Sequence, residues 1–162
     1  MKHTLSVLVE NKPGVLTRIS ALFARRGFNI DSLAVGETED PALSRMTIAV
    51  DAQDIPLEQV TKQLHKLINV IKITDLDPLS SVERELVLIK VKADAASRSE
   101  IMQIVEVFRA KIVDISPRTL TLEATGNQAK SDAIIKMLKP YTIKEMARTG
   151  RVALKREFQG EV

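Results

Sequence analysis

The sequence has no cysteine and no tryptophan among its 162 residues, and aromatic residues make up only 3% of it. Without cysteine the chain forms no disulfide bond, has no thiol nucleophile and offers no thiolate to a metal ion, which fits a reducing compartment. With so few aromatic side chains it lacks the stacking platforms on which single-stranded nucleic acids bind. Because 44% of the residues are apolar, the expected core is large and aliphatic.

Long hydrophobic runs are also missing. No stretch approaches the roughly 20 apolar residues of a membrane-spanning helix, and Asn11 and Lys12 interrupt the first apolar stretch too early for a signal peptide. Basic and acidic residues number 9 and 10 in residues 1–80, a net charge of −1, and 15 and 11 in residues 81–162, a net charge of +4. Neither half is basic enough to require nucleic acid. We therefore expect a cytoplasmic protein with neither nucleic acid nor membrane as a partner.

Hydrophobic periodicity predicts the order strand, helix, strand, strand, helix, strand in the first half of the chain. The predicted strands are 5–9, 28–35, 43–50 and 70–76, and the predicted helices start at Pro13, which suits a first helical position, and at Pro56. This is the order of the split βαβ, or ferredoxin-like, arrangement, in which an antiparallel sheet carries both helices on one face. The other face is expected to be open and to be covered by dimerisation. Its candidate residues are Leu8, Leu33, Thr47 and Ala49.

The second half repeats this order of elements after a linker at residues 77–81. The predicted elements are strands at 85–91, 111–115 and 119–124, a helix capped by Ser97 or Ser99, a helix at 131–138, one or two strands within 141–154, and a mobile tail at 155–162. The predicted fold is therefore α+β, with two ferredoxin-like domains at residues 1–77 and 82–157. Each domain has an antiparallel sheet with helices on one face.

The turn at residues 11–14 has the chemistry of a small-molecule site. A helix N-terminus presents unpaired backbone N–H groups and a partial positive charge, so it can hold a carboxylate, and Gly14 lets a ligand approach the backbone closely. The side-chain amide of Asn11 can both donate and accept, so the turn meets the needs of a free amino acid. The same Pro-Gly turn between a strand and a helix is also ordinary loop punctuation. No such turn recurs in the second half, so any site belongs to the first.

The turn ENKPGVL at residues 10–16, with Gly27, Asn29 and Ile30 downstream, resembles the ACT domain, a ligand-sensing module of amino-acid metabolism. Nearly the whole chain is similar to the regulatory small subunits of acetohydroxyacid synthase (acetolactate synthase). The similar stretches are LSVLVENKPGVLTRISALFARRGFNIDSL, DPALSRMTI, KQLHKLINV and VERELVLIKV. The length also fits the two-domain bacterial form.

This resemblance implies a non-catalytic partner of a thiamine-diphosphate enzyme, with no cofactor, metal ion or catalytic residue of its own. Such a subunit activates the catalytic large subunit and confers feedback inhibition, typically by valine. In that family the effector lies between two ACT domains, which implies a homodimer through these domains. Which branched-chain amino acid fits best is left open.

The resemblance also carries site residues over to this chain. The residues placed around the effector carboxylate, in the turn and the helix start, are Asn11, Gly14, Val15 and Leu16. Those placed as neighbouring strand contacts, from the same or the other protomer, are Asn29 and Ile30. Asn29 has the alternative role of finishing the turn that precedes it.

Other polar residues of the first half have plainer interpretations. His65, on a lysine-flanked helix, is expected to be solvated rather than a metal ligand or an acid–base group. The acidic residues within 37–40 would hold a hard cation only weakly, and a solvated loop is expected. Residues 44–46 form either part of a surface for the catalytic subunit or a strand start with an exposed arginine.

Two other classes of function are poorly supported. An enzyme would need a nucleophile paired with a base, a carboxylate dyad or metal-ligand spacing, and the sequence presents none of these. An RNA-binding module on the same strand order needs aromatic residues on its central strands, whereas LSRMTIAV has none and Tyr141 is the single tyrosine. The predicted function is therefore that of a regulatory binding subunit.

Overall fold

The computed structural model describes residues 2–52 and 56–157, which form two compact units. The first unit extends to Val82 and includes the segment that starts at Arg151, and the second is Glu83–Gly150. The strands are β1 (Lys2–Glu10), β2 (Asn29–Glu37), β3 (Leu43–Asp51), β4 (Val70–Leu76), β5 (Ser81–Lys92), β6 (Lys111–Ile115), β7 (Thr119–Gly126), β8 (Ile143–Arg148) and β9 (Val152–Lys155). The α-helices are α1 (Val15–Arg25), α2 (Leu57–His65), α3 (Arg98–Val107) and α4 (Gln128–Leu138). The predicted boundaries of independently folding domains, 1–77 and 82–157, stay a prediction.

In the first unit an antiparallel sheet has the strand order β2-β3-β1-β4. The apolar residues that β1 and β3 contribute to the core alternate along each strand and meet the apolar stripes of α1 and α2. Phe23 is fully buried there and meets Phe28 edge to face, with 6.2 Å between ring centroids. Both helices therefore lie on one face of the sheet, and the predicted ferredoxin-like arrangement is confirmed.

The second unit repeats the arrangement with its own core. Its strand order is β6-β7-β5-β8, and α3 and α4 pack their buried residues against β5 and β7. Of the one or two closing strands predicted around Gly150, β8 belongs to this unit, whereas β9 belongs to the first. Gly150 itself has φ +78°. β5 begins at Ser81, in the first unit, and continues through the second.

Several helix ends differ from the prediction. Pro13 is not the first residue of α1: the helix begins at Val15, after a turn in which Gly14 has φ +84°. α2 ends at His65, so Ile68, predicted on its buried face, is 91% exposed in the loop that follows. α4 begins at Gln128, three residues early, because the Asn127 side chain accepts a hydrogen bond from the Lys130 N–H and caps it.

The predicted open face of the first sheet is wrong in two respects. Leu33 lies on the helix side, because a bulge between Ile30 and Ser32 shifts the alternation of β2 and sets Leu33 opposite the core residue Ile48. Thr47 and Ala49 do lie on the other face, but they are only 3% and 1% exposed. That part of the face is therefore already covered within one chain.

The segment after Gly150 lies across this face. The Arg151 N–H donates to the Ser32 hydroxyl on β2 at 3.0 Å, while β9 contacts β4 at the opposite edge of the sheet. The two edges are three strand spacings apart, about 14 Å, which is close to the reach of four extended residues, about 13 Å. Lys155, assigned to a mobile tail, is thus part of β9. The rest of that predicted tail from residue 158, like the turn predicted at 53–55, lies outside the described residues.

Candidate functional site

The turn between β1 and α1 is fastened to the loop between β2 and β3. The Asn11 N–H donates to the Ala42 carbonyl at 2.7 Å. The Asn11 side-chain amide donates to the Pro41 carbonyl at 3.0 Å and to a Glu37 carboxylate oxygen at 3.2 Å. Because its amide hydrogens are used within the chain, the atom left to a ligand is the Oδ1 acceptor. That atom suits an ammonium group.

A second set of contacts holds the turn from the side of the α2–β4 loop. The Glu10 N–H donates to the Asn69 carbonyl at 2.9 Å, and the Arg18 guanidinium donates to Asn69 Oδ1 at 2.6 Å. The Lys12 ammonium pairs with the Glu10 carboxylate and lowers the pKa of that carboxyl. The turn is therefore held in place without a ligand, and the negative charge of the Glu10 carboxylate is balanced by Lys12.

The start of α1 has donors to offer an anion. Val15 N–H makes a long bond to the Lys12 carbonyl, 3.4 Å, and Arg18 N–H closes the first helical turn onto Gly14 at 3.1 Å. The next N–H groups, of Leu16 and Thr17, precede the helical ladder, and no side chain caps the helix in the described chain. The first turn carries no acidic residue that would repel a carboxylate.

The predicted helix-start residues differ in what they can contribute. Val15 is 4% exposed and its side chain packs in the core, so a ligand meets only its backbone. Leu16 is 42% exposed and presents an apolar side chain beside the turn. A hypothetical Cβ on Gly14 would have no heavy atom within 4 Å, so the space above that residue is open.

Asn29 and Ile30 lie at the other end of the same sheet. The strand register sets Asn29 level with Asp51 and Asp51 level with Lys2, whereas the turn follows Glu10. The eight residue-to-residue steps from Lys2 to Glu10 correspond to about 26 Å of strand. A free amino acid is far shorter, so one chain brings four of the six predicted residues together and leaves these two apart. Asn29 donates to the Asp31 carboxylate at 3.3 Å and starts β2.

The plainer interpretations of the other polar residues can also be compared with the structure. His65 is exposed, and no cluster of three or more potential metal ligands exists in residues 2–52 and 56–157. Ser44 and Met46 are buried, and the half-buried Arg45 donates to the Ser6 hydroxyl at 2.8 Å. Of the two alternatives for residues 44–46, a docking surface is wrong for the side chains of Ser44 and Met46, and the strand start has a half-buried rather than an exposed arginine.

Two residues that fix the turn, Glu37 and Asn69, were missed from the sequence. They are 26 and 58 residues from Asn11 and meet it or its neighbours only through the fold. The acidic residues of the 37–40 loop gave the nearest signal for Glu37. No pattern marks Asn69.

Comparison with known proteins identifies both halves of the chain. Residues 5–72 match the family model of the AHAS small subunit-like ACT domain, and residues 84–157 match that of the small subunit of acetolactate synthase. The acetolactate synthase small subunit of Mycobacterium bovis is 61% identical, covering 98% of this chain and 94% of its own. A probable acetolactate synthase small subunit of Methanothermobacter thermautotrophicus is 54% identical over 95% of this chain and 92% of its own. The crystal structure of the acetolactate synthase small subunit of Thermotoga maritima shares 49% identity and a TM-score of 0.88, covering 96% of this chain and 98% of that one.

The first unit, with its βαββαβ order and its turn at the start of α1, is thus an ACT domain of the AHAS small-subunit type. The chain belongs to the acetolactate synthase small-subunit family. The resemblance noted in the sequence is confirmed, and membership implies a regulatory role. In the described part of the chain, no helix is both long and apolar enough to cross a membrane.

Proposed function

We propose that this protein is the regulatory subunit of a cytoplasmic acetohydroxyacid synthase, a thiamine-diphosphate enzyme of branched-chain amino-acid biosynthesis. It activates the catalytic large subunit and confers feedback inhibition by L-valine bound between two copies of the first unit. The chain itself is non-catalytic. Family membership supports the regulatory role, and the separation between the turn and Asn29 supports the shared site.

The proposal of a shared site rests on a single observation, which is the distance between the turn and Asn29 within one chain. β2 forms one edge of its sheet, and an edge strand offers unpaired backbone groups to another chain. If two copies pair their β2 strands about a two-fold axis, the strands run antiparallel. The Asn29 end of one copy then lies beside the Glu37 end of its partner. Asn11 is hydrogen-bonded to Glu37, so this pairing brings both halves of the predicted site together.

The ligand would be recognised at three points. The N–H groups at the start of α1 receive the carboxylate, Asn11 Oδ1 accepts from the ammonium, and Leu16 with Ile30 from the second copy contacts the aliphatic side chain. A rigid turn keeps the ordering cost of binding low. A branched aliphatic chain fits these contacts better than a charged or aromatic one.

An effector that contacts both copies can regulate the enzyme because its binding depends on how the two copies are arranged. An effector shifts an equilibrium only by its difference in affinity for the two states. Valine that touches both copies favours the paired arrangement in which the contacts coexist. The catalytic subunit senses that arrangement, and the coupling is reciprocal. The large subunit therefore changes the affinity for valine by the same factor.

The test is reconstitution of the purified chain with its catalytic large subunit. The account predicts no turnover by this chain alone, higher activity of the large subunit when it is added, and saturable inhibition by L-valine but not by D-valine. L-leucine and L-isoleucine, run in parallel, rank the effectors. Turnover by the chain alone, or a large subunit indifferent to it, would refute the proposal.

A further inference from the structure

We propose that a basic groove on the helix face of the first unit docks an acidic, partly apolar segment of the catalytic subunit, an inference that rests on the proposed function. The groove lies between α1 and the end of α2 and has a volume of about 700 Å³. Its lining includes Arg18, Leu22, Arg25, Arg26, Lys66 and Leu67. It is distinct from the effector turn, which lies before α1.

The charged side chains that line the groove are all cationic. Four of its lining residues are cationic and none is a carboxylate. Arg18 is held by Asn69, while Arg25, Arg26 and Lys66 take part in no ion pair with any residue the structure describes. Cations at helix ends are favourable for each helix on its own. Where α1 and α2 meet at the groove, their cationic side chains repel each other, and an anionic partner removes that repulsion.

The distribution of the charges favours an extended segment over a compact anion. Arg18 and Arg25 are seven residues apart on α1, about 10 Å along the helix, so they do not converge on one point. The groove runs along α1 from Arg18 to the C-terminal end of that helix, and it meets the C-terminal end of α2, where carbonyl groups point outward. A phosphate would lack the N–H groups that normally cradle it. Carboxylates spaced along a peptide match this geometry.

The groove also has apolar surface. Leu22 and Leu67 form a half-buried floor, and Ile68, next in the chain, is 91% exposed. Ile68 does not line the groove itself, but it extends the apolar surface of Leu22 and Leu67 next to the cationic residues, and protein contact surfaces combine an apolar centre with a polar rim. The groove has no aromatic residue for base stacking, so a nucleic acid is a poorer match. The partner segment should therefore carry both carboxylates and aliphatic side chains.

Charge reversal tests the rim. In the reconstituted holoenzyme, Arg25→Glu with Arg26→Glu should raise the dissociation constant for the large subunit at least about tenfold and flatten its salt dependence. The neutral pair Arg25→Gln with Arg26→Gln should give a smaller loss and guards against misfolding. The control is Lys136→Glu with Lys139→Glu, because these lysines are exposed at the end of α4 in the second unit. The control should bind like wild type.

A matched pair of substitutions tests the apolar surface beside the groove. Ile68→Ser should weaken binding several-fold, whereas Leu79→Ser, at another residue that is 91% exposed, should not. Polyglutamate should compete with the large subunit, and inorganic phosphate at equal charge should not.

Each possible result either supports or overturns the proposed docking groove. If the double charge reversal binds like wild type, the groove proposal is overturned while the proposed function stands. If phosphate competes and polyglutamate does not, the groove takes a compact anion and the docking proposal is wrong. If RNA alone competes, the partner is a nucleic acid. A wild-type chain that does not bind the large subunit overturns both proposals.

Discussion

Substitution of Gly14 separates backbone strain from ligand recognition. Gly14 has φ +84°, a region that costs other L-residues about 1–2 kcal/mol. A Cβ there would meet no heavy atom within 4 Å, so strain is the main penalty for Gly14→Ala. Aspartate tolerates this conformation better than alanine, and its carboxylate before α1 interacts favourably with the helix dipole. Stability should therefore fall in the order glycine, aspartate, alanine.

Effector affinity should follow a different order. Alanine adds only a methyl group near the ligand, so we expect a loss of a few-fold. Aspartate places a negative charge beside the effector carboxylate. At about 4 Å that repulsion amounts to about 1–4 kcal/mol, depending on how well water screens it. Affinity for L-valine should thus fall at least about tenfold for Gly14→Asp, while activation of the large subunit is retained.

The assay combines thermal unfolding of each variant with calorimetric titration by L-valine, using D-valine as the control. The account requires the alanine variant to be the least stable and the aspartate variant to be the weakest binder. If affinity simply tracks stability across the three proteins, the turn acts through folding alone. If Gly14→Asp loses activation together with valine sensitivity while still folded, a dedicated effector site at this turn is wrong.

Three further predictions concern the scaffold. Tyr141 donates to the Glu100 carboxylate at 2.7 Å, and this hydrogen bond raises the pKa of Tyr141 above its ordinary value of 10.0. The hydrogen bond therefore stabilises the fold below pH 10.0, and the stabilisation is lost as the pH rises through the raised pKa. Phenolate absorbance reports it directly, since this is the only tyrosine and there is no tryptophan, and Glu100→Gln should move the titration back toward 10.0. Asn127→Ala should cost about 1 kcal/mol in urea unfolding by removing the α4 cap, whereas Asn127→Asp should restore most of it. Phe23→Ala should cost about 3–5 kcal/mol by opening a cavity beside Phe28, and a loss under 1 kcal/mol would contradict the described core.

Much of the fold was predictable because it depends on local periodicity. The stripe through Val15, Ile19 and Phe23 repeats at helical spacing, and the alternation of Leu5, Val7 and Val9 marks a strand with one buried face. These patterns place α1 and β1 without reference to the rest of the chain. The same reasoning applied to the second half finds its four core elements.

The errors fall where distant parts of the chain decide the outcome. Leu33 changes faces because of a bulge that depends on pairing with β3. Ser32 accepts a hydrogen bond from Arg151, a residue more than 100 positions away, and no local pattern predicts that contact. The sequence marks Gly14 for close approach, but it does not show that this residue is left-handed or that α1 starts only at Val15. The predicted effector site is harder still, because its two halves lie at opposite ends of one sheet.

The most direct test of the shared site is sedimentation velocity of the purified chain over a range of concentrations, with and without L-valine. Because a ligand that binds only the paired form stabilises it by mass action, the account predicts that L-valine shifts association to lower protein concentration. D-valine, and L-valine with Gly14→Asp, should leave the association curve unchanged. Saturable valine binding with no change in association would show that the site lies within one copy and would contradict the account.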